Sequence, residues 1–344
     1  MAPLKFENVV MVGLARDTAP EEMSSAKIEA RLAPVMERLK LPKGLLASLT
    51  GIVRRRLYPA DCPPSLAAAR AAEKLFAQLD FDRQEIDLLY STSVCRDHIE
   101  PSTASIVQHR LGLGGQVKSL DIGSACLGFI DGLELAAVSL ENGLARHALV
   151  VAGENNRPFL ETTINRLLAP GVDRNEFFRH FATLTLGSGG AAMILGRREQ
   201  YPRAPRLLRS VSRSDAASNH LCRGDAEGME TDSAALMTAG VALAGETFDQ
   251  GRAAFGWSPG DFQRFISHQV SAANTRKLCQ ALKLDESLLV KTFPDYGNIG
   301  PVAVPFTLDL AREEGLLAPG ARLLLMGIGS GLCCSLMEML WPGK

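Results

Sequence analysis

Lys118-Ser-Leu-Asp-Ile-Gly-Ser-Ala-Cys126-Leu-Gly-Phe-Ile-Asp-Gly-Leu-Glu-Leu-Ala-Ala-Val-Ser-Leu140 changes character at its middle. Residues 118–122 read as a short strand, and Gly123-Ser124-Ala125 as a tight corner. The run from Leu127 onward is apolar on nearly every side, which reads as a helix buried between other layers. Cys126 therefore stands where a helix begins. Unpaired backbone N–H groups and the helix dipole there favour a thiolate, the nucleophilic form of cysteine. By default a cysteine in an apolar helix is a packing residue, so the case for a nucleophile depends on partners elsewhere in the chain.

Working outward, the same strand-then-helix order recurs. Apolar runs at 87–93, 117–122 and 147–152 read as buried strands, with helices at 102–113 and 126–142 between them. The second half repeats the pattern with strands at 262–268, 289–293 and 322–327 and helices at 272–284 and 300–314. Each half opens on a further strand (9–14 and 207–211) and closes on another (190–195 and 333–340). Strands alternating with helices predict an α/β fold. Two copies predict a duplicated layered structure, with halves 1–197 and 198–344 joined by the Pro- and Arg-rich stretch 197–206.

The bulk properties suit such a chain. Its 344 residues, 46% hydrophobic, are enough for one large core or two coupled ones. A net charge of −1 offers no global field to recruit nucleic acid or an anionic membrane. The longest stretch without a charged residue, 180–196, holds a histidine and four glycines and is too broken to span a bilayer. No signal peptide is apparent, and seven scattered cysteines suit a reducing cytoplasm better than a disulfide framework.

Duplication has a chemical consequence. The counterpart of the Cys126 corner is Gly297-Asn298-Ile-Gly-Pro-Val-Ala-Val-Pro305, with Asn298 placed opposite Cys126 at an offset of 172. A pseudo-twofold relation would make the two corners face each other. His268 ends the second half's middle strand, and functional residues gather beyond the carboxyl ends of such strands. Each has a plain alternative: His268 as a satisfied core histidine, and Asn298 as a turn residue between glycines.

The three motifs Ala125-Cys126-Leu-Gly-Phe, His268-Gln269 with Ala273-Asn274, and Gly297-Asn298-Ile-Gly-Pro resemble the active-site motifs of the thiolase superfamily, most closely its ketoacyl-synthase III branch. The resemblance extends to the closing Gly327-Ile-Gly-Ser-Gly331 loop. It implies two βαβαβαββ halves packed as a five-layer α-β-α-β-α structure. A further stretch, Ser91-Thr-Ser-Val-Cys-Arg-Asp-His-Ile-Glu-Pro-Ser-Thr-Ala-Ser-Ile106, is similar to the OleA-type enzymes that condense two long-chain acyl-CoAs head to head in bacterial olefin biosynthesis. That similarity implies a homodimer in which Glu100 enters the partner subunit's site as the base. It also implies downstream hydrocarbon-pathway enzymes as partners. Cys126 would carry the acyl group, and the backbone N–H groups of Cys126 and Ser330 would form the oxyanion hole. CoA thioesters would be the substrates, with no cofactor and no metal. The ketoacyl-synthase alternative, decarboxylating malonyl-ACP, needs no such base. A second alternative is a catalytically silent acyl-binding subunit, against which the intact Cys126, His268 and Asn298 argue.

Other features carry less. Glu100, before Pro101, is by default a loop carboxylate at a helix start. Arg54-Arg55-Arg56 can be a CoA phosphate contact or a surface run. Where the short-chain ketoacyl synthases clamp the CoA adenine with Trp and Arg, this chain reads Leu45-Leu-Ala-Ser-Leu49-Thr50-Gly51-Ile52 and has neither. Cys95 and His98 lack a second ligand pair for zinc. Residues 157–181 are expected to form a cap, its apolar members either lining an acyl tunnel or simply packing.

Overall fold

The computed structural model describes residues 2–225 and 228–343. Among them the largest sheet has ten strands. The first half supplies β1 (Val9–Thr18), β2 (Leu88–Ser91), β3 (Lys118–Asp121), β4 (His147–Glu154) and β5 (Gly189–Arg197). The second supplies β6 (Arg206–Ser214), β7 (Arg264–Ser267), β8 (Arg322–Gly329) and β9 (Cys333–Leu340), and Leu4–Lys5 adds a short strand beside β6. The spatial order is β1-β5-β4-β2-β3 in the first half and β6-β9-β8-β7 in the second. Both follow one plan, with the last strand but one parallel to the second and antiparallel to the last. The halves join narrowly, through Val10 opposite Arg206 and the Met11 N–H donating to the Pro205 carbonyl.

Five layers follow from what packs on what. Helices α1 (Pro64–Leu79) and α2 (Thr103–Arg110) cover the outer face of the first half. Helices α4 (Ser233–Phe255) and α5 (Ala272–Leu282) cover that of the second. Between the sheets lie α3 (Gly128–Glu141) and α6 (Ala303–Glu313), which share one core with strands of both halves. This accounts for one side of the apolar α3: Leu135 and Val138 on its other side are exposed, whereas Phe129, Ile130, Leu133, Ala136, Ala137 and Leu140 are buried. Each large side chain among them contributes about 1.5–3 kcal/mol. Its buried Glu134 accepts from the hydroxyls of Ser210 and Ser212, so that carboxylate is satisfied.

The expected strand at 289–293 is reduced to a single bridge, Phe265 to Leu289. Immediately after it Pro294 lies in the first turn of a short helix, Phe293–Tyr296, where its missing N–H is tolerated. The fully buried Gln269 side chain replaces the lost ladder. It donates to the Val290 carbonyl (2.7 Å) and accepts from the Thr292 (2.9 Å) and Phe293 (3.3 Å) N–H groups. Among the described residues no helix is long and apolar enough to cross a membrane.

Candidate active site

The nucleophile's corner is a 3-10 turn, Ala125–Leu127, that runs directly into α3. Ala125 holds a left-handed backbone (φ 47°), which is costly for a residue with a Cβ. The second half has the same device: a 3-10 turn at Gly300–Val302 leads into α6, and Gly300 has φ 56°. The two turns pack against each other, so the corners do face one another. The structural counterpart of Ala125 is thus Gly300 and that of Cys126 is Pro301. Asn298 lies three residues before the position that the sequence offset assigned to it.

His268 and Asn298 are brought together. His268 follows β7, its N–H donating to the Met326 carbonyl, and its Nε2 lies 3.1 Å from Asn298 Oδ1. The Gly300 N–H donates to the same oxygen at 3.0 Å, which orients the Asn298 amide. An oxygen at that position requires the imidazole proton on Nε2. Burial lowers the His268 pKa to about 4, against the hydrogen bond it donates to Asn298, so the ring is neutral near pH 7. The Asn298 backbone is stitched to the segment that follows the cap: its N–H donates to the Thr185 carbonyl and its carbonyl accepts from the Gly187 N–H.

The thiolate expectation for Cys126 is not met in the resting site. Burial pushes its thiol up to about 12, helped by the charges of Glu154 and Cys222, with its own backbone N–H opposing. That rise amounts to about 4 kcal/mol, more than the roughly 1–2 kcal/mol a helix terminus offers. Pressed against this corner is the end of β8. A Cβ on Gly329 would stand 2.7 Å from the Ser124 carbonyl oxygen and 3.2 Å from the Leu127 nitrogen. The Gly329–Gly331 turn that contains Ser330 therefore abuts the nucleophile.

Glu100 is not in this constellation. It is exposed, on a loop whose neighbour Ile99 is 93% exposed. The arginine triplet is split: Arg54 pairs with Asp295 and Glu22, Arg56 with Glu22, and Arg55 is buried against the carbonyls of Met23 and Leu184. In the cap, Leu160, Ile164, Leu167 and Phe177 pack into one cluster with residues of the segment 28–57, which is the packing alternative. Cys95 is buried beside Asn155 and Asn156 while His98 is exposed, so the two do not form a shared site. The residue that sequence reasoning missed is Glu154, a buried carboxylate ending β4 whose pKa burial pushes up to about 7. A lone acid closing an all-buried strand, at the sheet end where Cys126 lies, was the available signal.

Comparison with known proteins places this geometry. Residues 120–216 match a family model described as 3-oxoacyl-[acyl-carrier-protein (ACP)] synthase III, and residues 253–341 match the C-terminal model of the same family. An acyl-CoA:acyl-CoA alkyltransferase of Xanthomonas campestris pv. campestris is 41% identical over 336 residues, covering 98% of this chain and 99% of that one. The chain belongs to the acyl-CoA:acyl-CoA alkyltransferase branch of the ketoacyl-synthase III family. A second member of this branch, from Shewanella oneidensis, is 35% identical and covers 98% of this chain and 100% of its own length. Among solved structures, Xanthomonas campestris OleA superposes with a TM-score of 0.96 at 40% identity, over 98% of this chain and 99% of that one. Related OleA structures carry single replacements of a glutamate, a cysteine and a histidine, and one holds lauric acid and lauroyl-CoA. The replaced residues in that protein have the sequence spacings of Glu100, Cys126 and His268 in this one.

Proposed function

We propose that the chain is an acyltransferase that joins two long-chain fatty acyl-CoAs by a non-decarboxylative Claisen condensation, giving a 2-alkyl-3-ketoacyl-CoA. What supports this reading is that the turn holding Cys126 packs against the turn that follows Asn298, to which His268 is hydrogen-bonded, in a chain of this branch that also has Glu100. In the first step the Cys126 sulfur attacks the thioester carbon of one acyl-CoA. The C–S bond to CoA breaks, and the thiol proton leaves with the CoA sulfur. Backbone N–H groups of Cys126 and Ser330 are the candidate donors to the tetrahedral oxyanion, since the Gly329–Gly331 turn abuts the corner.

In the second step a carboxylate takes a proton from the carbon beside the thioester of the second acyl-CoA. The enolate oxygen is held by the Asn298 side-chain N–H and by the His268 Nε2–H, which it shares with Asn298 Oδ1. The carbanion attacks the acyl carbon on Cys126, the C–S bond to the enzyme breaks, and Cys126 regains a proton. The product keeps the second CoA. Activated thioesters supply the whole driving force, so no step needs a cofactor.

The carboxylate is Glu100 of the partner subunit. Supporting a dimer, the Glu100 loop exposes Ile99 and Val94, and β3 is a sheet-edge strand with Leu120 43% exposed. The seven cysteines are all free, which suits the cytoplasm. Incubating the pure protein with one long-chain acyl-CoA and no malonyl donor tests the function. CoA release together with a ketone built from two chains is expected. Activity only when malonyl-ACP is added would overturn the reading in favour of the decarboxylating alternative.

A further inference from the structure

Glu154 is a buried titratable group that this chemistry leaves unused. It closes β4 at 1% exposure, and its two oxygens accept from the backbone N–H groups of Val94 (2.6 Å) and Cys95 (3.2 Å). Those residues open the loop that carries Glu100. Farther along, Asp97 accepts from the Ser65 N–H (2.9 Å) and hydroxyl (2.5 Å), and Asp121 accepts from the Thr103 (2.9 Å) and Ala104 (2.7 Å) N–H groups. Between these ties Val94, Arg96, His98, Ile99 and Glu100 are exposed. The loop is thus aimed outward by hydrogen bonds from inside rather than by packing of its own side chains. On its other side Glu154 meets the Asn298 corner, with its Cγ and Cδ 3.7 Å from where a Cβ on Gly300 would stand.

A carboxylate accepting from two consecutive amides fixes the direction in which the chain leaves them. An amide in its place offers one acceptor and turns an N–H donor towards the other amide. We infer that Glu154 is a positioning residue for the partner's chemistry: from within one subunit it sets the loop whose Glu100 serves the partner subunit's Cys126. The inference rests on the proposed placement of Glu100 in trans.

Mixed dimers carrying two affinity tags test it, with condensation and Cys126 acylation measured separately. The baseline pairs a Cys126→Ala subunit with a wild-type one, leaving a single working cysteine. Adding Glu154→Gln to the Cys126→Ala subunit should lower condensation about ten- to a hundredfold, with acylation kept within about twofold. Placing Glu154→Gln on the subunit that keeps Cys126 should cost much less, and Glu154→Asp should restore part of the loss. The reverse pattern, or equal losses in both arrangements, would overturn the inference. A separate dimer with Glu100→Ala on the Cys126→Ala subunit examines the premise alone. If it condenses at the baseline rate, the placement of Glu100 in trans falls and the inference with it. If it is inactive while the Glu154→Gln dimer is unimpaired, only the role of Glu154 is lost.

Discussion

Replacing Gly329 by Ala tests whether the close approach of β8 is what holds the nucleophile's corner. The added Cβ would lie 2.7 Å from the Ser124 carbonyl oxygen, 3.1 Å from Leu127 Cβ and 3.2 Å from the Leu127 nitrogen. Two of these atoms are backbone and cannot swing aside as a flexible side chain would. Gly329 does not have a left-handed φ, so the effect of alanine is steric. Relieving the contact takes a shift of about half an ångström, an overpacking cost of about 1–3 kcal/mol. Because the atoms displaced flank Cys126, the reacting sulfur moves with them. A displacement of about 1 Å can cost a hundredfold in rate, so about tenfold is expected here. The assay is the rate at which the acyl adduct forms on Cys126, followed by mass spectrometry after mixing with a long-chain acyl-CoA, alongside the melting temperature. Gly115→Ala, where a Cβ meets nothing within 4 Å, is the control. Wild-type acylation by Gly329→Ala with an unchanged melting temperature would refute the steric argument.

Three further outcomes are expected. Glu100→Ala should leave acylation of Cys126 within about twofold and lower condensation by about 10²–10⁴; equal loss of both steps, by mass spectrometry and ketone yield, would exclude it as the base. The neutral, partly buried His268 makes stability fall with acid: the unfolded chain takes up a proton below about pH 6.5 that the native site refuses until about pH 4. Between pH 7.5 and 5 wild type should lose about 2 kcal/mol more than His268→Asn in urea unfolding, and parallel losses would contradict the assignment. Gln269→Leu strands the Thr292 N–H and the Val290 carbonyl and should cost about 2–4 kcal/mol by the same measurement, while a neutral effect would show that the bridge strand stands without it.

The sequence carried most of the sheet. Strands β2, β4, β5, β8 and β9 are largely apolar runs, and the change to a helical pattern after Ala125 marks α3. Both signals act within about ten residues. Two long helices escaped that reading. The α1 helix is rich in alanine, and α4 buries only a stripe of Gly240, Leu243, Ala244, Thr247, Phe248 and Gly251, so small residues blur its period. The candidate strand at 289–293 failed because its ladder was taken over by Gln269, a side chain 20 residues away.

Of the site, Cys126, His268 and Asn298 could be named from motifs and from the repeat, because residue type and local turn chemistry are written in the chain itself. Their charge states could not. Whether Cys126 is a thiol, His268 neutral or the Glu154 pKa raised depends on how many atoms from both halves surround them, and desolvation is set by that assembly. The outward aim of Glu100 was likewise decided by carboxylates on β4, β3 and the loop itself. Local order follows from neighbours in sequence, whereas dielectric environment and direction follow from neighbours in space, which only the folded chain brings together.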